Sequence, residues 1–294
     1  MFFEVPYNFD EKLIQYYQKN KSFINYLYLP PYKEDAANTR TDIQTDIKGH
    51  CYMPQSRKEY ETHLRKLTEA GLHFVVLWQV NDQDLSLDLL NYYCELHTSG
   101  FIVANDRNAE FIKKNKPKLI VICSVVQRIC YNIMEKDLSN YDYVILYYPF
   151  NRALNALKHL AHLKEKLILM PNSLCDFYCP SIHHWFPTNE RPFIPSRDCS
   201  MTIDNMGRCS IIFPEHLYLF DNYVAGFKLQ GREYPTDAIK YLCHFYFKRD
   251  KYEDFISPFL AEDMANRLKY LMSQTSIEEY YNSATSYIQN KFYG

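Results

Sequence analysis

Eight short runs of aliphatic and aromatic residues recur along the chain, each followed by a polar stretch with helical spacing. They are Phe2 to Val5, Ile24 to Leu29, Phe74 to Val80, Phe101 to Ala104, Leu119 to Val126, Tyr143 to Tyr148, Lys166 to Met170, and Phe227 to Gln230. Most are continuously apolar and not alternating, which is the pattern of parallel strands covered on both faces. Eight such strands with helices between them predict an α/β fold, a single (β/α)8 TIM-type barrel. An open doubly wound sheet uses the same pattern and is the alternative.

The helices carry their own punctuation. In SRKEYETHLRKLTEAGL, Ser56 and Glu59 have capping-box spacing, Tyr60, Leu64 and Leu67 recur on one face, and Gly71 supplies the stop. Asp106 and Pro235 are similar start signals. The 294 residues fit one barrel domain spanning 1–294, and 47% hydrophobic residues can fill its core without disulfides. Residues 250–294 read as C-terminal helices packed outside the barrel.

Two connections exceed a turn and a helix: residues 30–55 and residues 171–226. Long insertions after barrel strands are where such folds place their sites. The second holds Cys175, Cys179, Cys199 and Cys209, with His183 and His184 between them. Thiolates and imidazoles in one loop suit zinc or an iron-sulfur cluster; reduced thiols filling loop packing are the alternative. The other five cysteines, Cys51, Cys94, Cys123, Cys130 and Cys243, read as packing residues.

A formal net charge of -2 gives no global attraction to nucleic acid or an anionic membrane. The glycine patterns of dinucleotide and Walker-type sites are missing from the sequence. The N-terminal MFFEVPYNFDEK has no signal-peptide pattern, and no apolar run reaches the length of a membrane helix. The expected location is cytoplasmic, with no membrane association and with reduced cysteines.

In GFKLQGR, Lys228 interrupts a buried strand and Arg232 follows its end. A lysine there either faces the lumen to meet an anion or snorkels at an edge. Arg232 suits a carboxylate or phosphate through its planar fork. Asn172, just past the seventh strand, is the third candidate for substrate binding. Glu215 reads as a helix N-terminal carboxylate or a partner for Arg232. Tyr7, Asn8, Gln79, Asn81, Asn105, Ser124, Asn151 and Arg152 also fall where a barrel's rim belongs; each alone is more often a cap or turn residue, and their agreement in position is what points to a polar pocket.

The order of ANDRNAEFIKKNKPKLIVICS, DYVILYYPFNRAL, KLILMPNSLCDFYCP, FPEHLYLF and GFKLQGR resembles the collagenase-like peptidase family, the peptidase family of unknown catalytic type numbered 32. The resemblance covers roughly residues 70 to 250 and implies a barrel. Several relatives resemble oxygen-independent hydroxylases of quinone precursors or RNA bases that hold a four-iron cluster on cysteines. By that resemblance Cys175, Cys179, Cys199 and Cys209 are the candidate ligands.

The expected function is thus a metal- or iron-sulfur-dependent barrel enzyme modifying a small anionic or nucleotide-like substrate, a small anion or an RNA base. A zinc-dependent hydrolase with Cys175, Cys179 and His183 as ligands is the enzyme alternative. A non-catalytic binding or assembly subunit with a structural metal and a protein partner is the third reading.

Overall fold

The eight apolar runs pair in chain order, and the last pairs with the first. In the computed structural model they form one closed parallel barrel, β1-β2-β3-β4-β5-β6-β7-β8. The structure describes residues 1–35, 53–79, 83–127, 133, 136–178, 202, 204–251 and 262–292. The strands are β1 Phe2–Pro6, β2 Ile24–Leu29, β3 Phe74–Trp78, β4 Gly100–Val103, β5 Ile120–Cys123, β6 Tyr143–Ile145, β7 Leu167–Leu169 and β8 Gly226–Lys228. The open doubly wound alternative is thereby excluded.

Two runs continue three residues past the strands they contain. After β5 the Ser124 hydroxyl accepts from the Val126 amide at 3.4 Å, which turns the chain into a 3-10 helix at Val125–Gln127. After β6, Pro149 cannot donate to a ladder and opens another 3-10 turn at Tyr148–Arg152.

Helices on the outside begin at short polar side chains. Asp10 caps α1 (Glu11–Lys19), Ser56 caps α2 (Arg57–Glu69), Ser86 caps α3 (Leu87–Glu95) and Asn105 caps α4 (Asp106–Asn115). At α2 the Ser56 half of the capping box forms, whereas the Glu59 carboxylate accepts from the Gln55 amide. Gly71 ends that helix at φ +65°, with the Leu72 amide donating to the Leu67 carbonyl. Asn105, expected at the rim, is spent on its cap. Helices α5 (Leu154–His159) and α6 (Thr236–Lys248) follow β6 and β8. The chain closes with α7 (Glu262–Gln274), α8 (Ile277–Asn282) and α9 (Thr285–Phe292). Among the described residues no helix is long and apolar enough to cross a membrane.

The barrel's N-terminal end is filled by rings. Phe2 meets Tyr143 at 5.4 Å between centroids, and Tyr143 lies 6.5 Å from Tyr26. Phe2 fits because its strand neighbour Gly226 has no side chain; a Cβ there would stand 2.7 Å from the Phe2 ring.

The long β7–β8 connection is tied down by two residues expected at a polar rim. Asn151 is buried, and its amide donates to the carbonyls of Met170 and Ser210, both at 2.7 Å. Arg152 is also buried; it donates to the carbonyls of Tyr280, Cys209 and Gly207, with its guanidinium carbon 3.3 Å from the Tyr280 ring centroid. One side chain thus satisfies carbonyls from both the insertion and the terminal helices. Replacing Arg152 by Met strips these carbonyls of their donor inside the protein. It is expected to cost about 3 kcal/mol, read as a lower urea midpoint.

Candidate functional site

Side-chain direction in the barrel follows from β1 and β8. Phe3 packs on Phe227 (5.8 Å between centroids) and on Phe247 of α6 (5.1 Å), so these positions face the helices. The next residue along each strand, Glu4 and Lys228, faces the lumen, and the two are direct partners where β8 closes on β1. Lys228 is 5% exposed and Glu4 is fully buried. The Lys228 ammonium lies 4.2 Å from the centroid of the Tyr28 ring, a cation–π contact. Tyr28 is itself fixed, its hydroxyl donating to the Leu229 carbonyl at 2.7 Å.

Among the described residues neither oxygen of Glu4 has a hydrogen-bond partner. Burial pushes its carboxyl up to about 7, against the opposing pull of Lys228. The same burial lowers Lys228 to about 8, opposed by Glu4 and assisted by the nearby Arg232. An acid and a base that would ordinarily be charged at neutral pH thus both titrate near it.

Above the pair a cavity of about 80 Å³ opens at the C-terminal ends of the strands. Gln79 enters from the end of β3, Val125 and Val126 from beyond β5, Met170 from the end of β7, and Lys228, Gln230, Gly231, Arg232 and Glu233 from β8 and its turn. The Gln79 amide donates to the Ser124 hydroxyl at 2.7 Å, bridging the ends of β3 and β5. Gly231 adopts φ +126°, and a Cβ there would meet the Tyr234 ring at 2.2 Å. This turn sets Arg232 and Glu233 on the rim, and only glycine accommodates it. A wider hollow of about 430 Å³ between α1 and α2 is lined by Glu11, Lys12, Gln15 and Lys66, far from any strand end.

Asn172 does not line the cavity. Its side chain makes a reciprocal pair with Gln230, accepting from the amide at 2.8 Å and donating to the carbonyl at 3.0 Å. It therefore positions a lining residue. Tyr7 and Asn8 are likewise structural: Tyr7 bonds His63 at 2.9 Å, and Asn8 donates to the Tyr234 carbonyl at 3.1 Å. Glu215 sits in the first turn of the 3-10 helix Pro214–Phe220, as a helix N-terminal carboxylate does. Asn81 lies outside the described residues.

Of the candidate metal ligands, Cys179, Cys199 and His183 lie outside the described residues. Backbone links bring Cys175 and Cys209 together: Asp176 and Cys209 form an antiparallel bridge, and the Ser210 amide donates to the Cys175 carbonyl. The Cys209 thiol is fully buried beside Arg152, Tyr246 and Tyr280, and burial pushes it up to about 11. That thiol is packed under the terminal helices. Among the described residues no three His, Cys, Asp or Glu side chains converge; two of the four candidate cysteines lie outside those residues. Cys123 and Cys243 are buried with thiols held above their usual range; Cys51 and Cys130 lie outside the described residues.

No protein-family model matches the sequence, and no curated protein matches it. Among solved structures, the U32 peptidase Mk0906 is similar at 13% identity and a TM-score of 0.51, over 80% of this chain and 95% of that one. A GH113 beta-1,4-mannanase follows at 14% identity and a TM-score of 0.42, over 93% and 100%. The maltogenic alpha-amylase AmyB from Thermotoga neapolitana has 12% identity and a TM-score of 0.40, over 96% and 78%. The likeness to the U32 peptidase is one of fold.

The buried pair makes stability depend on pH with a defined sign. A carboxyl raised from 4.5 to about 7 contributes stability below 4.5 that is lost as pH rises through 7. An amine lowered from 10.5 to about 8 contributes stability above 10.5 that is lost as pH falls through 8. Urea unfolding across pH is expected to show a trough of stability between these two values. The double variant E4Q/K228M should lose the trough; a flat wild-type profile would contradict the pairing.

Proposed function

We propose that this chain is a barrel enzyme that takes a small anionic substrate into the C-terminal mouth, with Lys228 and Arg232 supplying the positive charge. The observation that carries this is a lysine buried on the lumen face yet lining an open cavity with a guanidinium above it. A cation is held in such a layer at a cost of several kcal/mol unless something negative meets it. Glu4 meets it only partly, because the same burial favours the neutral acid. An anion bound in the mouth would complete the compensation.

The size and lining support a small substrate. A cavity of about 80 Å³ holds several waters or a molecule of a few heavy atoms. Tyr28 is the one aromatic residue in the described lining, so no pair of ring faces is on hand to sandwich a nucleobase. That favours the anion over the RNA base among the two substrate classes expected from sequence. The position is also where barrel enzymes of this architecture carry their chemistry, at the ends of several strands. Lys228 would be the reacting or binding amine, Arg232 the carboxylate clamp, and Asn172 would keep Gln230 in place.

Titration calorimetry at low salt, with pyruvate and lactate as probe anions, tests the proposal. Saturable binding is expected, with K228M and R232M each weakening it by about tenfold or more, the worth of one charge-assisted hydrogen bond. Absence of binding in the wild type, or equal binding in all three proteins, would refute it.

A further inference from the structure

Resting on the anion-binding mouth proposed above, we infer that Lys228 is a carbonyl-capturing amine and that the substrate class is a short 2-oxo acid, its carboxylate held by Arg232 and its carbonyl presented to the lysine.

Three features of the site lead there. The amine is buried against the Tyr28 ring, beside a cavity whose apolar lining includes Leu77, Val125 and Val126, and this burial disfavours its charged form. A second cation, Arg232, stands close enough to disfavour that form further. A desolvated lysine beside another cation is the arrangement that turns an ammonium into a nucleophile. The third feature is Glu4, a buried carboxyl on the neighbouring strand without hydrogen bonds among the described residues, which can exist as acid or carboxylate as the charge above it changes.

The presence of both cations in one cavity suits the same substrate class. Lys228 and Arg232 share one small cavity, the first deep in the lumen and the second at the rim after the Gly231 turn. A molecule with a carboxylate and a carbonyl on adjacent carbons can present one group to each. The guanidinium fork pairs with the two carboxylate oxygens.

The step balances without any co-reactant. The neutral amine's lone pair forms a bond to the carbonyl carbon while the carbonyl π pair moves to oxygen, which takes up the proton shed by the nitrogen. The resulting hydroxyl takes a second proton from solvent, equal to the one the ammonium released on becoming the neutral amine; the C–O bond then breaks, oxygen leaves as water into the open mouth, and the nitrogen lone pair completes a C=N bond. Counted from the ammonium form, one lysine and one 2-oxo acid become one protonated imine and one water, with no net electron transfer.

The test is reductive trapping of the full chain. Pyruvate or glyoxylate is added with cyanoborohydride, which delivers hydride to the imine carbon, and the modified lysine is found by peptide mass mapping. One adduct is expected, on Lys228, forming at least about tenfold faster than on any surface lysine and saturating with the 2-oxo acid. Lactate, which has the carboxylate but no carbonyl, should suppress it competitively. K228R keeps the charge and should bind lactate without forming the adduct. Adducts spread over surface lysines and indifferent to lactate, in a protein that still binds lactate by calorimetry, would overturn the imine while leaving the anion-binding mouth standing. A wild-type protein that binds neither lactate nor pyruvate would overturn both.

Discussion

Closure of β8 onto β1 is the constraint on which the rest of this structure depends. It removes both sheet edges, so every strand finds ladder partners on both sides and the chain needs no cover for an exposed edge. It also decides which side chains share the lumen. Position 4 and position 228 come from opposite ends of the chain and become neighbours only because the sheet closes in this register. A slip of one residue would turn both charges toward the helices and bring Phe3 and Phe227 into the lumen. The rings of Phe3, Phe227 and Phe247 therefore stabilise the register that buries the charged pair.

Much of the fold was legible because it is written in local pattern. Continuous apolar runs mark strands covered on both faces, and short polar side chains such as Ser56 and Ser86 mark where helices begin. Strand ends were less legible, because an apolar run continues past the last ladder bond. Val125 and Tyr148 look like strand residues, yet a serine hydroxyl and a proline turn the backbone first. Lys228 was legible as an anomaly in an apolar strand, and Glu4 in FFEVP carries the same signal. The acid went unread because its meaning depends on a strand at the other end of the chain.

The polar rim shows where position alone misleads. Asn105, Asn151 and Arg152 all follow strand ends, as site residues do, but each is occupied by backbone groups. A long insertion carries many carbonyls that its own irregular backbone cannot satisfy, and donors from the barrel rim must serve them. Arg152 meets this need with one planar group directed at three carbonyls. Of the clustered cysteines, Cys209 is packed beside Tyr246 and Tyr280 in the helical layer.

The ring of Phe2, seated in the space that Gly226 leaves, has a kinetic meaning. Together with Tyr26 and Tyr143 it stoppers one end of the lumen, so the tunnel that a barrel seems to offer is a blind alley. Whatever reaches Lys228 enters and departs by the same door. On the proposed chemistry occupants would take turns: water released with the imine would have to pass the molecule held there, and a second guest would wait until the first had gone. Arg232 and Glu233, on their glycine turn, line the cavity such traffic would use.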